Sequence, residues 1–409
     1  MRCYVVPGRV ELVGKHVDYA GGRSLTCAVD VAITACARPL REAVLHVQNT
    51  GRQGQVTVRM HADALRTPGT PIWSSYIVAV ARRFARDFPH ATTGVEVDLR
   101  STLPAAAGLS SSSALTVAIG SALVDANDME SDATWRAVVP DAIARAEYFA
   151  AMETGSSFAH FPGDDGVGVR GGAQDHVAIV CAMAGSVGQF SYLPAHLERR
   201  VPWPADYQLA IGVSGVTAAK TGNARARYNR ASDAIRALLR AWNTASARAD
   251  GTLADAIASS PDAGERLVHV AKSGTAEFSA EQLVARLAQF REEVDEIVPR
   301  VADALHDRDL ATLGRLVDRS QEMAECVLGN QVRETIFLAR AAREFGAVAA
   351  SAFGAGFGGA VWAMIPTRDA AAFLEQWRVR YEETFPHRAA QSRWMLTMPS
   401  EPAREIVVS

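Results

Sequence analysis

Residues 103–115, Leu-Pro-Ala-Ala-Ala-Gly-Leu-Ser-Ser-Ser-Ser-Ala-Leu, constrain this chain more than any other stretch. They lie between an alternating run at 95–99, which predicts a strand, and an apolar run at 115–123 with helical spacing. A strand leading through small residues into a hydroxyl-rich helix start makes a cradle for phosphate. Small side chains let backbone N–H groups approach an anion. The first helical turn adds unpaired N–H groups and the positive end of the helix dipole. Serine oxygens there also suit a hard cation such as Mg²⁺. The plain alternative is an ordinary helix cap in an alanine-rich protein.

The length of 409 residues allows two domains, or one large one, with ample core. Hydrophobic and charged contents of 48% and 21% are those of a globular protein, and a net charge of −3 gives no electrostatic pull toward nucleic acid or membrane. No apolar run reaches membrane-spanning length, and the first residues lack the apolar core of a signal peptide. Cys3, Cys27, Cys36, Cys181 and Cys326 are scattered, odd in number and form no CxxC pair. That pattern argues against a disulfide framework or a zinc site and suits a reducing cytoplasm.

Alternating runs predict strands at 9–13, 28–36, 44–48 and 56–60, and a helix at 72–88. A helix is expected at 140–152, with Pro140 in its first turn. Residues 156–172, rich in glycine, aspartate and aromatics, read as an inserted loop. Paired strands are expected at 176–182 and 187–192. The mostly polar 194–206, with Pro194, Pro202 and Pro204, reads as a domain boundary. Beyond it come a strand at 208–214 and helices at 224–246, 280–306, 310–328 and 332–345. A strand–glycine loop–strand unit spans 351–365, a helix 370–385 and a strand 393–397. Both halves are mixed α+β.

Three further elements could carry chemistry. Residues 353–360, Phe-Gly-Ala-Gly-Phe-Gly-Gly-Ala, run into a strand rather than a helix, so they are no dinucleotide fingerprint, but they allow close backbone approach. Residues 7–22 pack charged and hydroxyl-binding groups between glycines just after a strand, which suits a polyol substrate. Residues 171–176, Gly-Gly-Ala-Gln-Asp-His, put Asp175 where a loop meets an expected strand. A tight turn or a solvated loop is the bland reading of each.

Taken in order, these elements resemble the GHMP kinase superfamily, and within it the galactokinases, over nearly the whole chain. Residues 7–19 match the galactokinase segment Pro-Gly-Arg-Val-Asn-Leu-Ile-Gly-Glu-His-Thr-Asp-Tyr, with His16, Asp18 and Tyr19 intact. Pro104 to Ser113 match Pro-x-x-x-Gly-Leu-Ser-Ser-Ser-Ala with Ser113 in place of the alanine, and Gly354 to Gly359 match Gly-Gly-Gly-Phe-Gly-Gly with Ala355 for one glycine. Trp73-Ser74-Ser75-Tyr76 matches a Trp-x-Asn-Tyr element with Ser75 for the asparagine. The resemblance implies an α+β fold of two domains. Residues 1–200 would carry a ribosomal-protein-S5-like fold and 201–409 a ferredoxin-like one, with the site between them.

It also implies an ATP-dependent sugar kinase acting on a small-molecule sugar, most simply at the anomeric hydroxyl, with Mg²⁺ and no covalent intermediate. Asp175 would orient or deprotonate the sugar hydroxyl. Arg9 would stabilise charge on the transferred phosphoryl group and hold the aspartate ionised. Gly108, Leu109, Ser110, Ser111, Ser112 and Ser113 would hold the nucleotide, and Trp73 would pack near the adenine. Ser112 and Glu147 would hold Mg²⁺. His16, Asp18 and Gly172, with Lys15, would face the sugar. No motif role falls to His176. The expected setting is cytoplasmic, as a monomer or homodimer, with no nucleic-acid or membrane partner.

Several positions depart from the pattern. Lys15 stands where the family has a glutamate for the outer sugar hydroxyl, Glu11 replaces an asparagine, and Ala106 replaces a glycine. The usual sugar-contacting tyrosine is absent: Ala224 falls near its place and Tyr228 several residues late. Two alternatives follow. One is a kinase of an acidic sugar such as galacturonate, whose carboxylate Lys15 would neutralise. The other is a sugar sensor with weak catalysis, against which stand the intact Arg9, Ser112 and Asp175.

Overall fold

A computed structural model describes residues 1–51, 54–104, 107–217 and 223–407, and the side chains at 223–228 are not described. Ala106 therefore lies outside the described residues, and the expectations attached to Ala224 and Tyr228 fall on side chains that are not described. The first half builds one sheet with helices against it. Its elements are β1 (Arg2–Val13), β2 (Arg23–Leu40), β3 (Val44–Asn49), β4 (Gly54–Arg59), α1 (Ser74–Asp87), β5 (Gly94–Ser101), α2 (Ser111–Ala126), α3 (Ala133–Val138), α4 (Ala142–Thr154), α5 (Gln174–Val180), β6 (Ser186–Ser191) and β7 (His196–Pro202). The strands run in the order β1-β2-β5-β3-β4, with β6 bonded to β2 and to β7.

Helix α1 buries Ile77, Val80, Ala81 and Phe84, the spacing of one helical face, against this sheet. Helices α2 and α4 lie close together, because a Cβ at Gly120 would sit 2.6 Å from the Phe149 ring. Phe88 gathers Trp135, Tyr148 and Phe161 around it with ring centroids 5.3–5.9 Å away. Phe161 belongs to the 156–172 segment, so this aromatic cluster roots that segment in the core. Buried Arg83 fastens its start by donating from Nη1 to the Ser156 carbonyl at 2.7 Å.

The second half opens with β8 (Tyr207–Val213) and a helical array. The array comprises α6 (Asn223–Ser246), α7 (Leu253–Ala258), α8 (Ala263–Lys272), α9 (Ala280–Arg291), α10 (Val298–His306), α11 (Leu310–Met323) and α12 (Arg333–Glu344). It continues through β9 (Ala349–Ala352), β10 (Ala360–Pro366), α13 (Ala370–Thr384) and β11 (Arg393–Thr397). These strands form an antiparallel sheet in the order β11-β8-β10-β9. The chain ends in β12 (Arg404–Ile406), which returns to pair with β1. Residue 200 lies within β7, so the first sheet runs on to Pro202, and β12 returns to that sheet from the second half.

One packing feature places the site. Leu238, Trp242, Leu253, Leu267, Leu283, Leu287 and Phe290 of the helical array form a separate core, and Val17 and Ala20 from the N-terminal segment are buried in it. Residues 14–22 are therefore clamped by the second half while remaining tied to β1 and β2.

Four sequence expectations are corrected. Residues 176–182 were expected as a strand, but 174–180 form helix α5, an apolar run too short for periodicity to decide. Residues 194–206 include β7, whose mostly half-buried polar strand pairs with β6. Pro140 precedes the N-cap Asp141 of α4 rather than sitting in its first turn. The helix at 280–306 passes through a π segment at Glu292–Ile297 between α9 and α10. A fifth correction concerns cysteine. The antiparallel register of β1 and β2 sets Cys3 opposite Cys36, and the two form a disulfide with Cα atoms 4.1 Å apart. The redox argument for a cytoplasmic setting goes with it. Among the described residues no helix is long and apolar enough to cross a membrane.

Candidate active site

Strand β1 and helix α5 bring the central pair together. Arg9, buried on β1, donates from Nε to Asp175 Oδ1 at 2.8 Å, with Nη2 2.7 Å from the same oxygen. Its Nη1 donates to the Gly108 carbonyl at 2.5 Å, and the guanidinium lies 5.8 Å from the Phe353 ring centroid. One arginine thus joins the serine loop, the aspartate and the glycine-rich unit before β10. Gly354, at φ +76°, is required here: a Cβ would meet the Gly108 carbonyl at 3.0 Å and Arg9 Nη2 at 3.2 Å.

Around this pair a small pocket is lined by Glu11, His16, Asp18, Tyr19, Ser113, Glu153 and residues 171–176 other than Ala173. Val169 from the inserted segment and Ala355 from the glycine-rich unit complete part of its wall. Gly172 has a specific reason to be glycine. A Cβ there would fall 2.4 Å from Asp18 Oδ2, the oxygen that accepts from the Gln174 amide at 3.3 Å. His16 Nε2 lies 3.3 Å from the Ala355 carbonyl and its Nδ1 3.3 Å from the Tyr19 hydroxyl. Buried Arg286 on α9 donates to the His16 carbonyl and to the Tyr19 hydroxyl, fixing this turn from the second half. Burial pushes the Tyr19 hydroxyl up to about 12, so it stays a neutral donor.

The serine loop enters α2 through Ser110, whose φ is +59°. Among the described residues no side chain caps the start of α2, and the buried Ser110 Oγ has no hydrogen-bond partner. Uncapped N–H groups beside an orphan hydroxyl form a place for an anion. Leu109 is buried and its carbonyl accepts from the Arg9 amide, whereas Ser111 and Ser112 sit half-buried in the first turn of α2.

The acidic partner of this loop is Glu153. Ser113 Oγ donates to Glu153 Oε2 at 3.0 Å, and His176 Nε2 lies 3.3 Å from the same oxygen. A hydroxyl and a carboxylate beside an anion cradle are a donor set that suits Mg²⁺ shared with phosphate oxygens. Glu147 does not reach the pocket. Its Oε1 accepts from the Ala195 amide at 2.7 Å, and burial raises its carboxyl above the usual range. Six residues separate Glu147 from Glu153, a turn of about 600° that puts them on different faces of α4. Ser112 likewise stands outside the lining, and Ser113 is the serine that meets the carboxylate.

Lys15 is also placed elsewhere. It is 2% exposed, and Nζ donates to Ser320 Oγ at 3.0 Å. Ser320 in turn donates to Glu293 Oε1, which accepts from the Gly14 and Lys15 amides. Lys15 is thereby held among α11 and the π segment and does not line the pocket, so the basis for an acidic-sugar substrate is removed. Trp73 is the residue just before α1, packs half-buried against the first core, and is not part of this pocket. Sequence reasoning missed Glu153, Gln174 and Arg286. Only the last had no local signal, since it reaches the site from a helix 270 residues away.

Three family models match the chain: the galactokinase galactose-binding signature over residues 2–39, the GHMP kinases N terminal domain over 75–155, and the GHMP kinases C terminal over 301–383. A galactokinase of Lacticaseibacillus paracasei is 22% identical over 388 residues, 94% of this chain and 91% of its own. A galactokinase of Exiguobacterium sibiricum is 27% identical over 117 residues, 29% of this chain and 30% of its own. Among solved structures, Lactococcus lactis galactokinase complexed with galactose superposes with a TM-score of 0.78 at 20% identity, covering 99% of this chain and 95% of that one. L. major mevalonate kinase in complex with R-mevalonate gives 0.58 at 15% identity, over 97% and 96%. The shared architecture is a two-domain α+β fold.

Proposed function

The chain belongs to the GHMP kinase family, on its galactokinase side, and from that premise we propose that it phosphorylates galactose, or a closely related sugar, at the anomeric hydroxyl. It is an ATP-dependent sugar kinase. The observation that carries the assignment of roles is the Arg9–Asp175 contact at the junction of the serine loop, the glycine-rich unit and the segment at 14–22.

In this reading the uncapped start of α2 and Ser110 hold the phosphates of ATP. Asp175 accepts the proton of the sugar hydroxyl as its oxygen attacks the γ-phosphorus. The bond from that phosphorus to the β–γ bridging oxygen breaks, and ADP leaves. Arg9 donates to charge that develops on the transferred group, and its bonds to Gly108 and Asp175 mean that it need not reorganise to do so. Ser113 and Glu153 hold Mg²⁺, which neutralises phosphate charge when bound. His16, Asp18 and Tyr19 position the sugar, with Gly172 leaving room for Asp18. Trp73 remains assigned to the adenine side.

An acidic-sugar kinase is not favoured, because Lys15 is committed to Ser320. A silent sensor is not favoured, because Arg9 and Asp175 are assembled. The test is ADP release with MgATP across galactose, galacturonate, glucose, mevalonate and homoserine. Turnover confined to galactose and its epimers supports the proposal. Turnover of galacturonate alone, or of no sugar, contradicts it.

A further inference from the structure

Phosphoryl transfer as derived above engages Arg9, Ser113, Glu153 and Asp175 and leaves one carboxylate of the pocket without a task. Glu11 is 3% exposed and lines the pocket from β1. Its pairing with β2 is regular from Arg9 to Glu11, so the period of the strand puts Glu11 on the same face as Arg9. Gln174 Nε2 donates to Glu11 Oε2 at 2.5 Å, while Oε1 has no hydrogen-bond partner among the described residues. A buried carboxylate oxygen with no donor is costly, and such a group in a pocket calls for a donor from the ligand. A sugar supplies hydroxyl donors.

We propose that Glu11 is a specificity-determining residue: its Oε1 accepts a hydrogen bond from one hydroxyl of the bound sugar. This rests on the sugar-kinase reading. Lys15 cannot take that place, since its ammonium is held by Ser320. When ionised, Glu11 is an acceptor-only group at a position where the galactokinases it resembles have an amide, which both donates and accepts. The charged and titratable groups around Glu11 are Arg9, Lys15, Asp175 and Tyr192. Burial, the largest influence, pushes its carboxyl up to about 7, against the opposing pull of Lys15 and Arg9. Gln174 occupies Oε2, so the proton of the neutral form sits on Oε1, and the acceptor exists only above that pH.

The test is steady-state kinetics with galactose and its monodeoxy analogues, for the wild type and for Glu11→Gln. The amide oxygen of the variant can still accept from Gln174, so shape and that bond are kept while the free acceptor becomes a donor. The expected result is a galactose KM raised about tenfold or more, with the ATP KM unchanged. One monodeoxy sugar that is poor for the wild type is then no poorer than galactose for the variant. In the wild type alone, galactose KM falls as pH rises through about 7, and KM for that same monodeoxy sugar does not. A galactose KM within about twofold of wild type, or equal losses on every deoxy sugar, overturns the inference and leaves Glu11 a support for Gln174. If the wild type is inert with galactose and its epimers, the proposed function itself fails, and the inference with it.

Discussion

Arg9 and Asp175 meet through two guanidinium nitrogens at 2.7 and 2.8 Å from a single carboxylate oxygen, although 166 residues separate them in the chain. That contact leaves the second carboxylate oxygen of Asp175 outside the Arg9 contact, and under the proposed mechanism it would tie proton acceptance to the arginine assigned to the phosphates. Asp175→Asn keeps the shape but removes the proton acceptor. We expect kcat to fall by about 10²–10⁴ with sugar binding retained. Steady-state turnover together with calorimetric sugar binding checks this.

Arg9→Ala removes the donor to Gly108 and Asp175 together. Loss of a preorganised donor at the transferred phosphoryl group lowers kcat by about 10²–10³. Calorimetric titration with nucleotide separates the residues: only Arg9→Ala should also weaken nucleotide binding.

Ser113→Ala and Glu153→Gln should each raise the Mg²⁺ concentration needed for half-maximal rate by about tenfold or more. Glu147→Gln should leave that concentration unchanged, because its carboxylate is bonded to the Ala195 amide. Direct Mn²⁺ binding to the enzyme–nucleotide complex, read by electron paramagnetic resonance, gives the same ranking independently of rate.

Lys15→Met should cost stability on the order of 3 kcal/mol, since it takes a buried ammonium from the Ser320–Glu293 network. The ratio of galactose to galacturonate turnover should not move. Thermal melting and the two rates check both halves of the statement.

Glu11 gives a pH-dependent signature of stability. Its folded carboxyl lies near 7 against an ordinary 4.5, so between those values the folded state binds more protons than the unfolded one. Stability therefore falls as pH rises from about 4.5 to 7 and levels off above, by on the order of 3 kcal/mol at most. Urea titrations of wild type and Glu11→Gln across that window should diverge, with the variant losing the downward slope.

Much of this was legible in the sequence, and what was not has physical reasons. The serine loop, Arg9, His16, Asp18, Gly172 and Asp175 are local patterns, and the fold gathers Arg9, His16, Asp18, Gly172 and Asp175 around one pocket. Side-chain direction was not legible. Lys15 reads as a substrate contact from its place in the motif, yet residues about 280 and 305 positions away, Glu293 and Ser320, decide where its ammonium goes. Glu147 and Glu153 share one helix, and only the packing of α4 on α2 selects the face that meets Ser113. The run after Asp175 is apolar and short, so helix and strand were equally open. The Cys3–Cys36 pair depends on the register of β1 and β2, which spacing alone does not reveal.

The most direct measurement is ³¹P nuclear magnetic resonance of galactose incubated with MgATP and the enzyme, beside the Asp175→Asn variant. A sugar 1-phosphate that accumulates in step with ADP for the wild type, and at a rate lower by about 10² or more for the variant, is the predicted result. ADP formation without a sugar phosphate, or equal sugar phosphate from both proteins, would contradict it.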